Sequence, residues 1–308
     1  MNIQLLSFKL GGAGLNAWGL ASAKKAGTKA YQLFTTPPKP IIRPKEKAFL
    51  DTAEQVEQVR GGREIMEYHW GNPTAPYILL SYGWGYNAGR WRHFVPGLVR
   101  AGYRVIAYDP PGHGLAKRER VHFIDNVNII RAIIEANGQP AVLIAHSFGG
   151  ACSVQSMDFL PPELHPKRMV IMAAFSDARR SVFTTFRRAL GLSDHDYQAF
   201  EDKIALEAGK QLRPFQIAPS TASRKHIPSL IVLDPLDKVT SGNESLGYHA
   251  YWPGSVLYLP LRAKHHLGTP RVTEAILDFA LDGTIPQTAT VQERPLAPEY
   301  ELASFYRQ

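Results

Sequence analysis

A serine stands at the end of a predicted strand in the stretch LIAHSFGG, residues 143–150. Its neighbours two positions away, Ala145 and Gly149, are small, as a tight turn from strand to helix requires. A serine hydroxyl is a weak nucleophile, so Ser147 needs a base, a group that orients the base, and donors for the oxyanion that forms. A helix beginning at Phe148 points its first N–H groups toward this site. The alternative interpretation is a serine that only caps the helix.

A candidate acid follows a later predicted strand, residues 229–234, which ends in LDPLDKVTS. The carboxyl end of a parallel strand is where ligands bind in such sheets, so an acid there can orient a base. We favour Asp237 as this acid and keep Asp234 as the alternative.

A candidate base follows the last predicted strand of the core, residues 255–261, in the stretch RAKHHLG. Either His265 or His266 is placed to take the proton of the serine hydroxyl. Because the two are adjacent on a short loop, the residues alone leave the choice between them open.

The elements that position these residues alternate regularly from residue 55 onward. A predicted hairpin is followed by helical segments and by short apolar segments typical of buried strands, the latter at 76–82, 103–109, 141–147, 168–175, 229–234 and 255–261. This alternation predicts an α/β fold with a mostly parallel central sheet and helices on both faces.

One interval of about fifty residues interrupts the alternation, between Phe175 and Ser229. Ser193, with Asp196 three positions later, predicts the N-cap of a helix inside it. We therefore expect a helical insertion at 178–228 that caps the active site. The alternative is a helix pair packed on the sheet with no gating role.

The positive charge is concentrated at the amino terminus. The net charge is +8, yet residues 1–50 hold eight Lys or Arg and one acid, which leaves the remaining 258 residues at +1. This distribution argues against an extended nucleic-acid-binding face. We expect an amphipathic helix here, strapped to the domain or touching an anionic or membrane surface. A poor signal peptide is the less favoured interpretation, so a cytoplasmic location is expected.

The predicted organisation has four parts. They are a basic N-terminal helical segment with a Pro- and Lys-rich connector (1–54), an α/β core (55–177 and 229–283), the helical cap (178–228) and a C-terminal tail (284–308). Cys152 is the single cysteine of the chain, so no intramolecular disulfide forms, and we expect a buried thiol.

Five motifs in the expected order give the chain, over roughly residues 55–282, a specific resemblance to α/β-hydrolases. They are SYGWG (81–85), DPPGHG (109–114), AHSFGG (145–150), DPLDKV (234–239) and AKHHL (263–267). The first resembles the oxyanion loop after the third strand, the second the turn after the fourth, and the others the nucleophile, acid and histidine loops. The chain order Ser, Asp, His is the order of this fold.

The resemblance implies roles for individual residues. Ser147 is the implied nucleophile and Asp237 the acid, and His265 is the implied base because AKHHL aligns with the family's histidine loop, with His266 as the alternative. The implied oxyanion donors are the backbone N–H groups of Trp84 and Phe148.

Several positions depart from the family pattern. Tyr82 stands where a histidine usually braces the oxyanion loop, and Lys264 replaces the glycine before the base. Ala145 replaces the first glycine of the nucleophile turn. We expect His113 to be a structural turn residue and His146 to lie against the cap or the sheet.

The sequence therefore predicts a serine hydrolase that cleaves an ester, thioester or amide through an acyl-enzyme, with no metal and no cofactor. Two alternatives keep the fold: a weakly catalytic or non-catalytic binding module for a lipid or acidic partner, and an acyltransferase. The partner we expect is a small-molecule acyl substrate. The residues predict neither its acyl chain length nor the oligomeric state.

Overall fold

The computed structural model of the protein describes residues 3–209, 224–240 and 242–291. Within these ranges the strands are β1 (Glu54–Arg60), β2 (Arg63–Trp70), β3 (Tyr77–Ser81), β4 (Arg104–Asp109), β5 (Val142–His146), β6 (Met169–Met172), β7 (Ser229–Val232), β8 (Val256–Tyr258) and β9 (Thr290–Val291). They form one sheet in the order β1-β2-β4-β3-β5-β6-β7-β8-β9.

The centre of the sheet is parallel and its margins are antiparallel. β4, β3, β5, β6, β7 and β8 pair in parallel, whereas β1 pairs with β2, β2 with β4 and β8 with β9 in antiparallel fashion. Every residue of β3, β5, β6 and β7 is buried, as expected for strands covered on both faces. The predicted α/β fold with a mostly parallel sheet is confirmed.

Helices cover both faces of the sheet. They are α3 (Pro44–Leu50), α4 (Val95–Arg100), α5 (Phe123–Asn137), α6 (Phe148–Ser156), α9 (Gly242–Tyr251) and α10 (Pro270–Asp282). A 3₁₀ segment, Ala88–His93, precedes α4, and Pro96 lies in the first turn of α4, where its missing N–H costs no hydrogen bond. Cys152 is a fully buried free thiol in α6.

Four further helices form what we call the helical layer: α1 (Ile3–Gly19), α2 (Ala23–Phe34), α7 (Thr184–Leu190) and α8 (Asp194–Ala208). They share a buried cluster of Leu15, Ala30, Tyr31, Phe183, Leu190, Leu192, Phe200 and Ile204. The ring of Phe34 lies edge-on to those of Phe183 and Phe200, at centroid distances of 5.6 and 5.3 Å. Gly27 lets α2 approach α8 closely, since a Cβ there would lie 2.5 Å from the backbone of Ala199.

The helical layer lies at the carboxyl edge of the parallel strands. Its α7 and α8 belong to the segment that leaves β6 at this edge, and α2 continues into residues 35–43, which cross the same edge. The first part of the tail predicted at 284–308 contains β9, and its residues 292–308 lie outside the described ranges, as do residues 210–223 of the predicted cap.

Candidate active site

Ser147 occupies a strained turn between β5 and α6. Its φ of 53° and ψ of −120° lie in a region that side-chain-bearing residues seldom adopt. Gly149 allows the tight packing of this turn, because a Cβ there would lie 2.5 Å from the carbonyl oxygen of Tyr82. The side chain of Ser147 makes no capping hydrogen bond to α6. Ser147 therefore occupies the N-cap position of α6 without capping the helix through its side chain, which contradicts the interpretation of a serine that only caps.

His265 and Asp237 complete a line of contacts from Ser147. His265 Nε2 lies 3.1 Å from Ser147 Oγ, and His265 Nδ1 lies 2.7 Å from Asp237 Oδ2. The carboxylate accepts the Nδ1 hydrogen, which leaves Nε2 free to accept the serine proton. Asp237 is held in turn, since its Oδ1 accepts the backbone N–H of Val239 at 2.7 Å. The side chains of Asp237 and His265 are 1% and 10% exposed, so water interferes little with this line.

Asp234, the alternative acid, contacts the backbone instead. Its Oδ1 accepts the N–H of Leu236 at 2.9 Å, and its Oδ2 accepts the N–H of Lys264 at 2.6 Å. Lys264 has a φ of 56°, in the left-handed region that favours glycine, which accounts for the glycine of the family motif. Asp234 thus holds the backbone of the histidine loop immediately before His265.

His266, the alternative base, points to a different partner. Its Nε2 lies 2.9 Å from the hydroxyl of Tyr86, and the two rings meet edge-on at 5.1 Å. Burial, followed by the charge of Arg90, lowers the pKa of His266. The structure brings His265 to Ser147 and leaves His266 beside Tyr86.

The loop that carries Trp84 lies directly against the nucleophile turn. A Cβ on Gly83 would come within 3.1 Å of Ser147 Cβ, so glycine permits this approach. Within the described ranges, the backbone N–H groups of Trp84 and Phe148 donate to no acceptor. A serine nucleophile requires such donors for its oxyanion, and Gly83 brings the loop of Trp84 against Ser147.

Buried Asp109 connects the end of the Trp84 loop to the turn that follows β4 through hydrogen bonds. Its carboxylate accepts the hydroxyl of Tyr68 and the backbone N–H groups of Ala88 and Leu115. Burial raises the pKa of Asp109 to about 6, and these three hydrogen bonds oppose the rise. His113, in the same turn, is buried with Nδ1 3.0 Å from the carbonyl oxygen of Pro111, and burial lowers its pKa to about 4.

A row of aromatic rings adjoins the candidate nucleophile. Trp84 meets Phe148 edge-on at 5.3 Å, Phe148 meets Phe123 at 6.1 Å, and Phe123 meets Phe175 at 6.3 Å. Three of these side chains are half-buried, whereas Phe175 is buried. Trp91, on the 3₁₀ segment that follows the loop of Trp84, is 1% exposed and belongs to the core.

Residues 35–43, which follow α2, cross the loops of the site. No sequence pattern indicated this crossing. Val121 donates its backbone N–H to the carbonyl oxygen of Thr35 at 3.0 Å. Arg118 donates to the carbonyl oxygen of Pro38 at 3.1 Å, and the ring of Pro38 packs on Gly85. The N-terminal segment therefore joins the helical layer through α1 and α2 and contacts the loop of Trp84 through the residues that follow α2.

Two features are absent from residues 3–209, 224–240 and 242–291. No group of three or more His, Cys, Asp or Glu side chains there is arranged to hold a metal ion. No helix in these ranges combines the length and the apolar character needed to cross a bilayer.

Comparisons with known proteins agree with this architecture. A profile of the α/β hydrolase fold matches residues 76–219. Epoxide hydrolase A of Mycobacterium tuberculosis is 31% identical over 111 residues, covering 34% of this chain and 33% of that enzyme. The bifunctional esterase/perhydrolase of Acinetobacter calcoaceticus is 32% identical over 97 residues, covering 30% and 34%. The chain thus matches about a third of the length of these two curated relatives.

A solved structure extends the similarity to most of the described chain. An esterase from Rhodococcus sp. has a TM-score of 0.55 at 17% identity, covering 75% of this chain and 99% of that one. At this identity the likeness concerns the fold alone. The protein has the α/β-hydrolase fold, as its five motifs predicted.

Proposed function

We propose that this protein of α/β-hydrolase fold is a serine hydrolase, which cleaves an ester, thioester or amide through an acyl-enzyme intermediate. The observation that carries the proposal is the unbroken line of contacts from Ser147 Oγ through the ring of His265 to Asp237. Each contact has the length of a hydrogen bond and the chemical role that nucleophilic catalysis by serine requires.

Acylation begins when Ser147 Oγ attacks the substrate carbonyl carbon and its proton passes to His265 Nε2. Asp237 stabilises the imidazolium through the Nδ1 hydrogen and keeps the ring in place. The carbonyl oxygen becomes an oxyanion, which accepts the backbone N–H groups of Trp84 and Phe148. The imidazolium then gives its proton to the leaving group, and the carbon–oxygen, –sulfur or –nitrogen bond breaks.

Deacylation repeats these steps with water. His265 Nε2 takes a proton from the water as its oxygen attacks the acyl carbon. The second tetrahedral intermediate collapses, and the same proton returns to Ser147 Oγ as the carboxylic acid leaves. No external oxidant or reductant enters this cycle.

The acyl group we propose is apolar. When the acyl carbonyl oxygen lies between the N–H groups of Trp84 and Phe148, the acyl chain extends past the side chains of these two residues. Their rings are the first two of the aromatic row. Aromatic side chains bury large apolar areas and leave few polar groups unsatisfied, so they favour an apolar acyl group over a charged one.

The helical layer is the cap in our proposal. The basic N-terminal segment and residues 178–209 share one hydrophobic cluster, and residues 35–41 contact the loop of Trp84. The cap then consists of two separate stretches of the chain, instead of the single insertion that the sequence indicated.

A fluorophosphonate probe tests the proposed nucleophile. We expect the wild-type protein to be labelled on Ser147 and Ser147→Ala to lose all labelling. Ser176→Ala is the matched control, since this buried serine follows β6 at the same sheet edge and its hydroxyl faces Glu244. Labelling that persists in Ser147→Ala, or that disappears in Ser176→Ala alone, contradicts the proposal.

A further inference from the structure

His146, the residue before Ser147, is fully buried and contacts the residue proposed as the base. Its Nε2 lies 2.7 Å from the main-chain carbonyl oxygen of His265. A carbonyl oxygen only accepts, so His146 Nε2 carries the hydrogen and donates it. His146 therefore does more than lie against the cap or the sheet, which is what the sequence suggested.

The ring of His146 also contacts the loop that carries the oxyanion donor. It stacks on the ring of Tyr82 with centroids 4.7 Å apart and an interplanar angle of 25°. A Cβ on Gly83 would lie 3.2 Å from His146 Nδ1, so the loop passes directly over the ring. One side chain thus lies between the oxyanion loop, the nucleophile turn and the histidine loop.

The histidine loop needs such external contacts. Arg262, Lys264 and Leu267 all have positive φ, at 61°, 56° and 50°. Residues other than glycine hold this conformation only where the surroundings enforce it. Around His265 two side chains do so: Asp234 holds the N–H of Lys264, and His146 holds the carbonyl of His265 itself.

We propose that His146 is a positioning residue, which sets the distance between His265 Nε2 and Ser147 Oγ by holding the main-chain carbonyl of His265. This proposal rests on the serine-hydrolase function proposed above. His146 contacts His265 twice, through the hydrogen bond to its main-chain carbonyl and through an edge-on ring contact at 4.9 Å. It acts by restraining the base, and through its stack on Tyr82 it keeps the oxyanion loop in register with the base.

The ring is suited to this task because it stays uncharged. Burial, followed by the charge of His265, lowers the pKa of His146 to about 3. The titratable groups around it are His265, His266, Asp237 and Tyr82. A neutral donor holds the carbonyl without repelling the imidazolium that forms on His265 during the reaction.

Two substitutions of His146 separate the hydrogen bond from the packing. His146→Leu removes the donor, whereas His146→Gln keeps an N–H at a similar reach. We expect His146→Leu to lower kcat about 10- to 100-fold with little change in KM, because an error of about 1 Å in base position has an effect of this size. We expect His146→Gln to recover most of the lost kcat.

His249→Leu is the matched control for the loss of a buried histidine. His249 is also buried, and its Nδ1 lies within hydrogen-bond distance of Ser255 Oγ, at 2.8 Å, at the amino end of β8 and away from the site. We expect this variant to lose stability and keep kcat. An unchanged kcat in His146→Leu, a His146→Gln as slow as His146→Leu, or an equal kcat loss in His249→Leu overturns the proposal.

A second measurement decides the proposal even if no substrate is turned over. The Nδ1 hydrogen of His265, bonded to Asp237, gives a downfield proton resonance that His265→Ala identifies by its absence. We expect this resonance to shift or broaden in His146→Leu and to return in His146→Gln. An identical resonance in the wild type, His146→Leu and His146→Gln refutes positioning by His146. A wild-type protein in which the fluorophosphonate probe does not label Ser147 refutes only the proposed hydrolase function.

Discussion

The backbone N–H of Lys264 donates to the carboxylate of Asp234 at 2.6 Å, one residue before the histidine that contacts Ser147. Asp237, three positions after Asp234, contacts the ring of that histidine. Two carboxylates of one short loop therefore serve the same histidine in different ways. One holds its backbone and the other orients its ring.

This division predicts different outcomes for the two aspartates. Asp237→Asn should lower kcat on the order of 10³- to 10⁴-fold, because the amide no longer stabilises the imidazolium or selects the tautomer of His265. Asp234→Asn loses only the acceptor for Lys264, so it should lower the unfolding free energy by about 1–2 kcal/mol and kcat by less than about tenfold. Nitrophenyl ester kinetics and urea unfolding measure both. The reverse ranking of kcat would show Asp234 to be the acid.

Substitutions of the adjacent histidines His265 and His266 should also differ strongly in their effect on ester turnover. His265→Ala removes the proposed base and should reduce ester turnover by on the order of 10³-fold or more. His266→Ala removes only the contact with Tyr86 and should keep kcat within about threefold of wild type. The two variants control for each other, since they alter neighbouring positions of one loop. Turnover retained in His265→Ala and lost in His266→Ala would reverse our assignment.

Buried histidines predict a loss of stability in acid. Burial lowers the pKa of His249 to about 4, whereas an unfolded histidine titrates near 6.5. Between these values the unfolded state binds a proton that the folded state does not, so the unfolding free energy falls as pH falls. Urea unfolding at several pH values in this window gives the slope of the unfolding free energy against pH. This slope should be smaller for His249→Leu than for the wild type by up to about 1.4 kcal/mol per pH unit. Equal slopes would show that His249 does not titrate as its burial predicts.

Phe34 should link the N-terminal segment to the rest of the proposed cap. Its ring contacts Phe183 and Phe200, whereas the neighbouring Leu33 is 43% exposed. Phe34→Ala should destabilise the helical layer by about 2–3 kcal/mol and increase binding of a hydrophobic dye, and Leu33→Ala should change stability by less than about 0.5 kcal/mol. Equal effects of the two substitutions would mean that α2 does not support the cap.

Much of the fold follows from local patterns along the chain. Apolar strands that alternate with helices predict a parallel sheet, and such a sheet places the loops after its strands at one edge. Small residues on both sides of Ser147 predict the turn that projects it. Because these features depend on near neighbours, the order of the elements and the short set of candidates Ser147, Asp234, Asp237, His265 and His266 were predictable from the sequence.

Other features follow only from contacts between distant parts of the chain. A strand pattern does not show how far a loop turns after the strand ends. The preference for Asp237 over Asp234 and for His265 over His266 was therefore an expectation, and their contacts follow only from the tertiary structure. The hydrogen bond of His146 to the carbonyl of His265 joins residues 119 positions apart.

The set of helices that form the helical layer is the clearest example of a feature that the sequence did not predict. Amphipathic helices at the amino terminus and after β6 each indicate a buried face, but not which surface covers it. The sequence by itself determined the type of fold and the kinds of residues that meet at its edge. The tertiary structure decided which of them touch, because burial in one shared cluster depends on the packing of the whole chain.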